Sequence, residues 1–506
     1  MLLSLVLLTI QFLLLAAFCY FAFFKYLYGF ASLKPAQLPR TAVSGKQCAV
    51  VIVAFNERHV IEDTIKACDA LTYQSKLIVL ADDSNDPSIV QRRIAYAKQR
   101  GCQKLTGHKF SERVVSENGE ESVQPIEIWE SQGFVLIQRP ANTGFKAGSL
   151  NKVHQYLESR GIKVIYLLDA DWHPQNDALE RAFEILEANN NLAFVQTKRV
   201  AQPNGMNLFQ KITSIMEETC YFVDFQGRQS VGHPVLFSGC CALMRLDVIR
   251  RVGGFNPGQL TEDLDLSNRL WLAGCKGAYA ADIINYGEVP FAYDDFRRQQ
   301  ARWSTGTTAA LRNYFLQVLR SSNLRTMEKL SIVRQNSYFF CNFFAILAFL
   351  VGIFTVSWVI IGWNSFAVEY YLYIMQICQI PIVILIYMCV MSTLLGPILM
   401  IAFHKRRFSD LIYIPLAVWY AASIVSTYLI GNLNGFFHRQ TEWFRTPKYC
   451  RAGFIQHVTQ PIATKILNQI VLGIVALFYF VEGWAFGWID LFAMLWIPAL
   501  IIASTE

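Results

Sequence analysis

The chain has 506 residues, 53% of them hydrophobic, with a mean hydropathy of +0.29 and a formal charge of +7. That is too apolar for an ordinary soluble enzyme but leaves room for one sizeable soluble domain. The modest positive charge fits cytosolic loops of a membrane protein, and the absence of a basic module interleaved with aromatics argues against a nucleic-acid partner.

In chain order, residues 1–24 are uncharged and exceed the ~20 residues that cross a hydrocarbon core, so they read as a retained transmembrane anchor rather than a cleaved signal. Lys25, Lys34 and Arg40 follow and place the next segment in the cytosol, with the N-terminus outside. Twelve scattered cysteines, several in apolar surroundings, suit reduced thiols better than a disulfide framework or a zinc site.

From 45 to 310, apolar β-runs alternate with helical stretches: CAVVIVAF (48–55), KLIVLADD (76–83), GFVLIQRP (133–140), VIYLLDAD (164–171) and LAFVQTKR (192–199). This pattern predicts an α/β domain with a parallel sheet covered on both faces. The polar stretch 107–122 breaks the rhythm and reads as a surface loop. Residues 311–337 form the transition to the membrane; within 318–335, Leu324, Met327 and Leu330 sit at helical spacing among charges, as in a helix lying on a membrane surface. Apolar spans follow at about 338–361, 371–396, 466–482 and 486–504, making about five with the anchor, and 338–506 reads as a channel region. The equally apolar 411–437 lies between the basic clusters 404–407 and 438–451, so it is expected to return to the side it left, as a re-entrant or in-plane element.

Carboxylates at strand ends carry most of the functional signal, because ligands of open α/β sheets bind beyond the carboxyl ends of the strands. LADDSND ends one strand with Asp82 and Asp83, LLDAD ends another with Asp169 and Asp171, and LTEDLDL supplies Glu262, Asp263 and Asp265. An Asp-x-Asp can place oxygens on Mg²⁺ or Mn²⁺ bridging nucleotide phosphates; alone it is more often a solvated turn or helix cap.

The ordered set VIVAFNE (51–57), ADDSND (81–86), GFKAGSLN (144–151), DAD (169–171), FSGCCALMR (237–245), TED (261–263), QQARW (299–303) and TEWFRTPK (441–448) resembles the membrane-integrated family 2 glycosyltransferases of the cellulose, mannan and hyaluronan synthase group, nearest the mannan synthase-like branch. The resemblance implies a nucleotide-sugar-binding domain of GT-A type inserted between transmembrane helices. It implies a processive, inverting transfer of hexose from a nucleotide sugar (UDP-glucose, GDP-mannose or UDP-galactose) to a growing β-linked glycan that is secreted across the bilayer. Phe55, Glu57, Asp82 and Asp83 would cradle the donor, with phenylalanine where the family usually has tyrosine. Lys146 and Asp169 would approach the diphosphate, and Asp169 and Asp171 would hold the metal. Asp263 would be the general base, with Glu262 and Asp265 as competitors and Glu262 toward the acceptor. Gln299, Arg302 and Trp303 would meet the acceptor sugar, while Arg297 and Arg298 face lipid headgroups. The loop 438–451 would close over the donor through Thr446 and Lys448, although Arg445 stands where family loops often carry valine.

Several of these groups have simpler readings. Glu57 can be a helix N-terminal carboxylate, the glycines around Lys146 a flexible turn, the arginine-rich helix an interfacial anchor, and 438–451 a positive-inside loop. Two functional alternatives share the sequence: a non-processive transferase acting on a lipid-linked acceptor, and an inactive transporter. The multi-pass chain is expected in a plasma or inner membrane, or in the Golgi of a eukaryote, with its catalytic domain in the cytosol. Trp358, Trp363 and Trp419 are candidate channel aromatics.

Overall fold

The computed structural model describes residues 2–341 apart from 44, 108–109, 116–120 and 203–204, together with 344, 347, 391–403 and 407–437. The chain begins with helix α1 (Leu2–Ala31) and continues through β1 (Cys48–Ala54), α2 (Ile61–Asp69), β2 (Lys76–Asp82), α3 (Pro87–Gln99), β3 (Gln103–Lys104) and the hairpin β4 (Ser111–Val115) and β5 (Glu121–Pro125). Next come β6 (Glu127–Glu130), β7 (Phe134–Gln138), α4 (Phe145–Ser159), β8 (Val164–Asp169), β9 (His173–Pro174), α5 (Ala178–Ala188), β10 (Leu192–Ala201) and α6 (Leu208–Cys220). A π-helical turn, Tyr221–Gln226, leads into α7 (Gly227–Ser230), followed by β11 (Ala242–Arg245), α8 (Leu246–Arg251), α9 (Glu262–Leu272) and β12 (Lys276–Gly287). The long α10 (Tyr293–Arg320), α11 (Thr326–Asn336), α12 (Met391–Phe403), α13 (Ile414–Ser423) and α14 (Val425–Phe436) complete the described elements.

The five predicted strands are present as β1, β2, β7, β8 and β10. Strands β7, β2, β1 and β8 are parallel neighbours at the centre of a ten-stranded sheet, so their apolar runs are buried from both sides. Val50 and Ile52 of β1 pack with Ile61 and Ile65 of α2 and Phe183 of α5. Ala49 and Val51, pointing the other way, pack with Leu150 and Val153 of α4 and Leu266 of α9, as the two-residue side-chain period of a strand requires.

The sheet is mixed rather than parallel, a correction to the sequence expectation. β11 runs antiparallel to both β8 and β10, β6 antiparallel to β7, and β9 antiparallel to β12. β11 is only four residues long, and its apolar stretch ALM is too short to announce direction. The stretch 107–122 is also more ordered than a loop, since its described residues contribute to the β4–β5 hairpin.

Helix α1 runs past the predicted anchor to Ala31, and its part from Phe12 to Ala31 is the one stretch among the described residues long and apolar enough to cross a membrane. Its C-terminal end is bound to the α/β domain. The Tyr28 ring has the guanidinium of Arg228 at 5.2 Å and that of Arg334 at 5.4 Å, and its hydroxyl meets Ser331 at 2.7 Å. Ser32 donates to the Phe222 carbonyl at 2.6 Å, and a Cβ on Gly227 would lie 2.4 Å from the Tyr28 carbonyl, so α7 and α1 touch backbone to backbone.

The predicted surface helix across 318–335 is two helices. α10 continues to Arg320 and α11 starts at Thr326, with Leu324 in the turn between them and Met327 and Leu330 exposed. The segment 411–437 is likewise broken, a 3₁₀ turn leading into α13 and then α14. Of the other predicted spans, 466–482 and 486–504 lie outside the described residues, as do 342–343, 345–346 and 348–390, which hold most of the remaining two.

α14 lies along α10 with small residues at the contact. A Cβ on Gly435 would sit 2.3 Å from the Thr305 carbonyl, and one on Gly431 would sit 1.8 Å from Ser304 Oγ. Thr308 donates to Asn432 at 2.9 Å, and Arg312 donates to the carbonyls of Gly435 and Phe436 at 3.0 and 3.1 Å, capping the end of α14. Glycine spaced by four lets helix backbones approach closely. Gly435→Ala is therefore expected to lower the thermal midpoint of the detergent-purified chain by several degrees, whereas Leu433→Ala, at an exposed position, shifts it by at most about one degree; equal shifts would contradict the close helix contact.

Candidate active site

The carboxyl ends of β1, β2 and β8, the start of α4, the start of α9 and the first half of α10 surround a cavity of about 200 Å³. Parallel pairing sets the carboxyl ends of the three strands side by side. β1 pairs Ala54 with Asp82 on one side and Val53 with Asp169 on the other. Of the expected site residues, Phe55, Glu57, Asp83, Lys146, Asp169, Asp171, Glu262, Asp263, Gln299, Arg302 and Trp303 all line this cavity.

Asp82 does not, which corrects the expectation that both acidic residues of the pair face the donor. It is fully buried, its Oδ1 accepts from the Ser84 N–H at 3.0 Å, and the Arg93 guanidinium lies 3.5 Å from its Oδ2. Side chains alternate at a strand end, so only Asp83 can turn toward the cavity. Thr446 and Lys448 lie outside the described residues, as do Trp358 and Trp363.

Lys146 stands on the first turn of α4, behind a tight loop that explains its glycines. Gly144 has φ +69°, and a Cβ on Gly148 would lie 2.1 Å from the Thr143 carbonyl. The Lys146 ammonium donates to Asp169 and, at 2.9 Å, to the Gly239 carbonyl. Burial alone would lower its pKa, but the Asp169 carboxylate beside it raises it, so the side chain stays a cation.

Gly239, with φ +86°, lies beneath Asp263, where an added Cβ would be 3.1 Å from Asp263 Oδ2. The other oxygen of Asp263 accepts the Leu264 N–H at 2.8 Å, fixing the carboxylate at the helix N-terminus. Asp265 faces away from the cavity and binds Arg269 at 2.7 Å and the Tyr314 hydroxyl at 2.6 Å, as its spacing from Asp263 predicts.

α10 buttresses this arrangement. Arg302 donates to the Leu260 carbonyl at 3.0 Å, and a Cβ on Gly306 would lie 2.4 Å from Thr261 Cγ2, so the helix presses on the residues just before Glu262. Arg297 and Arg298 are paired with Asp294 at 2.8 and 2.9 Å on their own helix, as an acidic residue three and four positions earlier allows.

Sequence reasoning missed Trp172, Arg199, Glu217 and Glu288, which also line the cavity. Arg199 lies over the rings of Trp172 and Tyr221 at 5.2 and 5.1 Å and pairs with Glu217 at 3.2 Å. Trp172 follows the Asp-x-Asp directly and was open to detection. Glu217 and Glu288 carry no local signal, because tertiary packing alone brings them here.

Eight carboxylates and three cations line the cavity. An anionic diphosphate entering it would be repelled unless a cation accompanied it. Asp169 and Asp171 offer hard oxygens that suit Mg²⁺ or Mn²⁺. Among the described residues no three His, Cys, Asp or Glu side chains converge to hold an ion by themselves.

The charge excess also appears in the acid–base behaviour. Burial, with the Asp263 charge adding to it, pushes Glu262 up to about 7, and burial raises Asp263 too. A carboxyl with a raised pKa holds its proton longer in the folded chain than in the unfolded one. Its ionisation therefore costs stability progressively as pH climbs from about 4.5 to about 7. Glu262→Gln is expected to raise the thermal midpoint by a few degrees at pH 8 and by much less at pH 5; a stabilisation equal at both values would contradict a charge-based cause.

Residues 164–425 match the family described as glycosyl transferase family group 2. A glucomannan 4-beta-mannosyltransferase of Arabidopsis thaliana is 28% identical over 299 residues, covering 58% of this chain and 49% of that protein. One of Oryza sativa subsp. japonica is 26% identical over 314 residues, covering 61% and 53%. The chain spans about half the length of the curated relatives it matches. Among solved structures, a mannosyltransferase of Pyrobaculum calidifontis in complex with GDP-Man and Mn²⁺ aligns with a TM-score of 0.53 at 14% identity, over 86% of this chain and all of that one, a likeness of fold. With more than half of its length matching the family, and the match taking in Asp169, Asp263 and Trp303, the chain belongs to glycosyl transferase family group 2, and its mixed sheet is GT-A-like.

Proposed function

We propose that the chain polymerises hexose from a nucleotide sugar into a β-linked polysaccharide, adding successive residues to a glycan that leaves through the membrane. The observation that carries this reading is the convergence of Asp169, Asp171, Lys146 and Asp263 in one cavity bounded by Trp303. Among the three donors open to the sequence, GDP-mannose is favoured by the glucomannan mannosyltransferase relatives and by the GDP-Man complex of the Pyrobaculum calidifontis neighbour.

In this reading Phe55, Glu57 and Asp83 receive the nucleotide base, and Lys146 lies toward the diphosphate. Mg²⁺ or Mn²⁺ on Asp169 and Asp171 would supply positive charge to the departing nucleoside diphosphate. Trp303 and Gln299 orient the terminal sugar of the acceptor, with Glu262 beside them and Arg302 holding the loop before Asp263. Asp263 accepts the proton of the acceptor hydroxyl as its oxygen bonds to the anomeric carbon. The bond to the diphosphate oxygen breaks with its electron pair, and a single displacement inverts an α-linked donor to a β linkage.

In this reading the chain is ordered for export, with an anchor at 1–24, a cytosolic catalytic domain at 45–310, interfacial helices at 311–337 and a channel region at 338–506 that would include the loop 438–451, whose Thr446 and Lys448 would contact donor phosphates. About five spans would place the chain as a multi-pass protein of a plasma, inner or Golgi membrane.

Purified chain incubated with Mn²⁺ or Mg²⁺ and radiolabelled nucleotide sugars is expected to yield long β-linked chains, with GDP-mannose as the best donor. A single lipid-bound sugar would overturn processivity, and no transfer from any donor would overturn the reading. Asp263→Asn is expected to lower kcat at least about a hundredfold, with the affinity for nucleotide retained; activity surviving that change would overturn the base assignment.

A further inference from the structure

The β4–β5 hairpin stands apart from the main sheet, with β5 exposed along its whole length and Val123 71% exposed. A two-stranded ribbon with so little core is marginal on its own. Yet one of its side chains, Glu112, is buried and reaches the Arg139 guanidinium at the end of β7. Both Glu112 oxygens are engaged: Arg139 Nε donates to one at 3.0 Å, and Nη2 donates to the other. This fork fixes the guanidinium plane and leaves Nη1 aimed at Asp83 Oδ2, 2.8 Å away. Ser149 donates to the second Asp83 oxygen at 3.1 Å. Arg139 also donates to the Thr143 carbonyl, so it touches the loop that carries Lys146.

We propose that Glu112 is a positioning residue for the nucleotide base of the donor, acting through Arg139 to fix the direction in which Asp83 presents its carboxylate to the cavity. This rests on the reading of Asp83 as a base contact given above. The Arg139 side chain is 1% exposed and its two carboxylate partners 2% and 7%. Desolvating three charges costs more than the pairing returns in many buried networks, so stability alone is a poor reason for the arrangement, whereas a bidentate fork supplies direction. A glutamine at 112 retains one acceptor oxygen, loses the charge and cannot hold both Nε and Nη2. Arg139 is then free to tilt, and Asp83 follows it. Burial pushes the Asp83 carboxyl up to about 7, with Arg139 opposing, so its charge depends on where that guanidinium sits.

The test measures binding of UDP, GDP and inorganic pyrophosphate, each with Mn²⁺, to the full chain and to Glu112→Gln and Glu112→Asp variants. For whichever nucleoside diphosphate the unaltered chain binds, Glu112→Gln is expected to weaken affinity about tenfold, as loss of a charged hydrogen bond implies, while pyrophosphate affinity changes less than about twofold. Glu112→Asp is expected to recover most of the loss. In transfer assays KM for the donor rises and kcat at saturating donor is kept. Unchanged nucleotide binding in Glu112→Gln would overturn the inference and leave the proposed function standing. So would a parallel loss for nucleotide and pyrophosphate, which marks a purely structural role. An unaltered chain that binds neither UDP nor GDP would overturn both.

Discussion

The position of the Lys146 ammonium is the constraint on which the site depends. It bridges Asp169 at the end of β8 and the carbonyl of Gly239, and Gly239 in turn lies against Asp263. One partly buried cation thus ties a strand end to the N-terminus of α9 across the floor of the cavity. Around it the carboxylates outnumber the cations, and burial raises Glu262, Asp263 and Asp83 alike. Such a pocket is poised to take up positive charge, and a diphosphate accompanied by a divalent ion meets that need better than a neutral ligand does.

The second requirement is mechanical. α10 carries Gln299, Arg302 and Trp303 into the cavity and bears on the Leu260 and Thr261 segment that launches α9. Its opposite side receives α14 through Gly431 and Gly435, and Tyr428 donates to Gln300 at 3.2 Å. The acceptor end of the proposed reaction is therefore built on a helix that also packs against the apolar C-terminal helices. The N-terminal apolar helix is held as firmly by the Tyr28, Arg228 and Arg334 cluster, with Arg334 paired to Asp224 in the interior. The apolar helices α1 and α14 are thus each anchored on the α/β domain and its α10 extension, by separate sets of contacts.

Most of the central sheet was legible in the sequence because β1, β2, β7, β8 and β10 are apolar runs, and the acidic residues ending β2 and β8 mark the ligand edge. The antiparallel β11 was not legible, since a four-residue strand has no pattern that reveals direction, and the hairpin at 111–125 was hidden by its polar composition. Asp263 and Lys146 were readable from their motifs. Asp82 was misplaced because a pair of adjacent acids says nothing about which one faces inward, a matter decided by the pleat. Arg199, Glu217 and Glu288 escaped because they reach the cavity through packing between elements far apart in the chain. The salt bridges of Arg297 and Arg298 to Asp294 were within reach of helical spacing and were overlooked in favour of a membrane contact.

The central claim is that Asp169 and Asp171 hold a divalent ion beside Lys146, in the same cavity as the Asp263 carboxylate. Anomalous diffraction from crystals grown with Mn²⁺ and a nucleoside diphosphate tests it most directly. The account predicts one strong peak within coordination distance of the Asp171 carboxylate, with the diphosphate between it and Lys146. A peak at any other site, or a diphosphate bound away from Lys146, would contradict it.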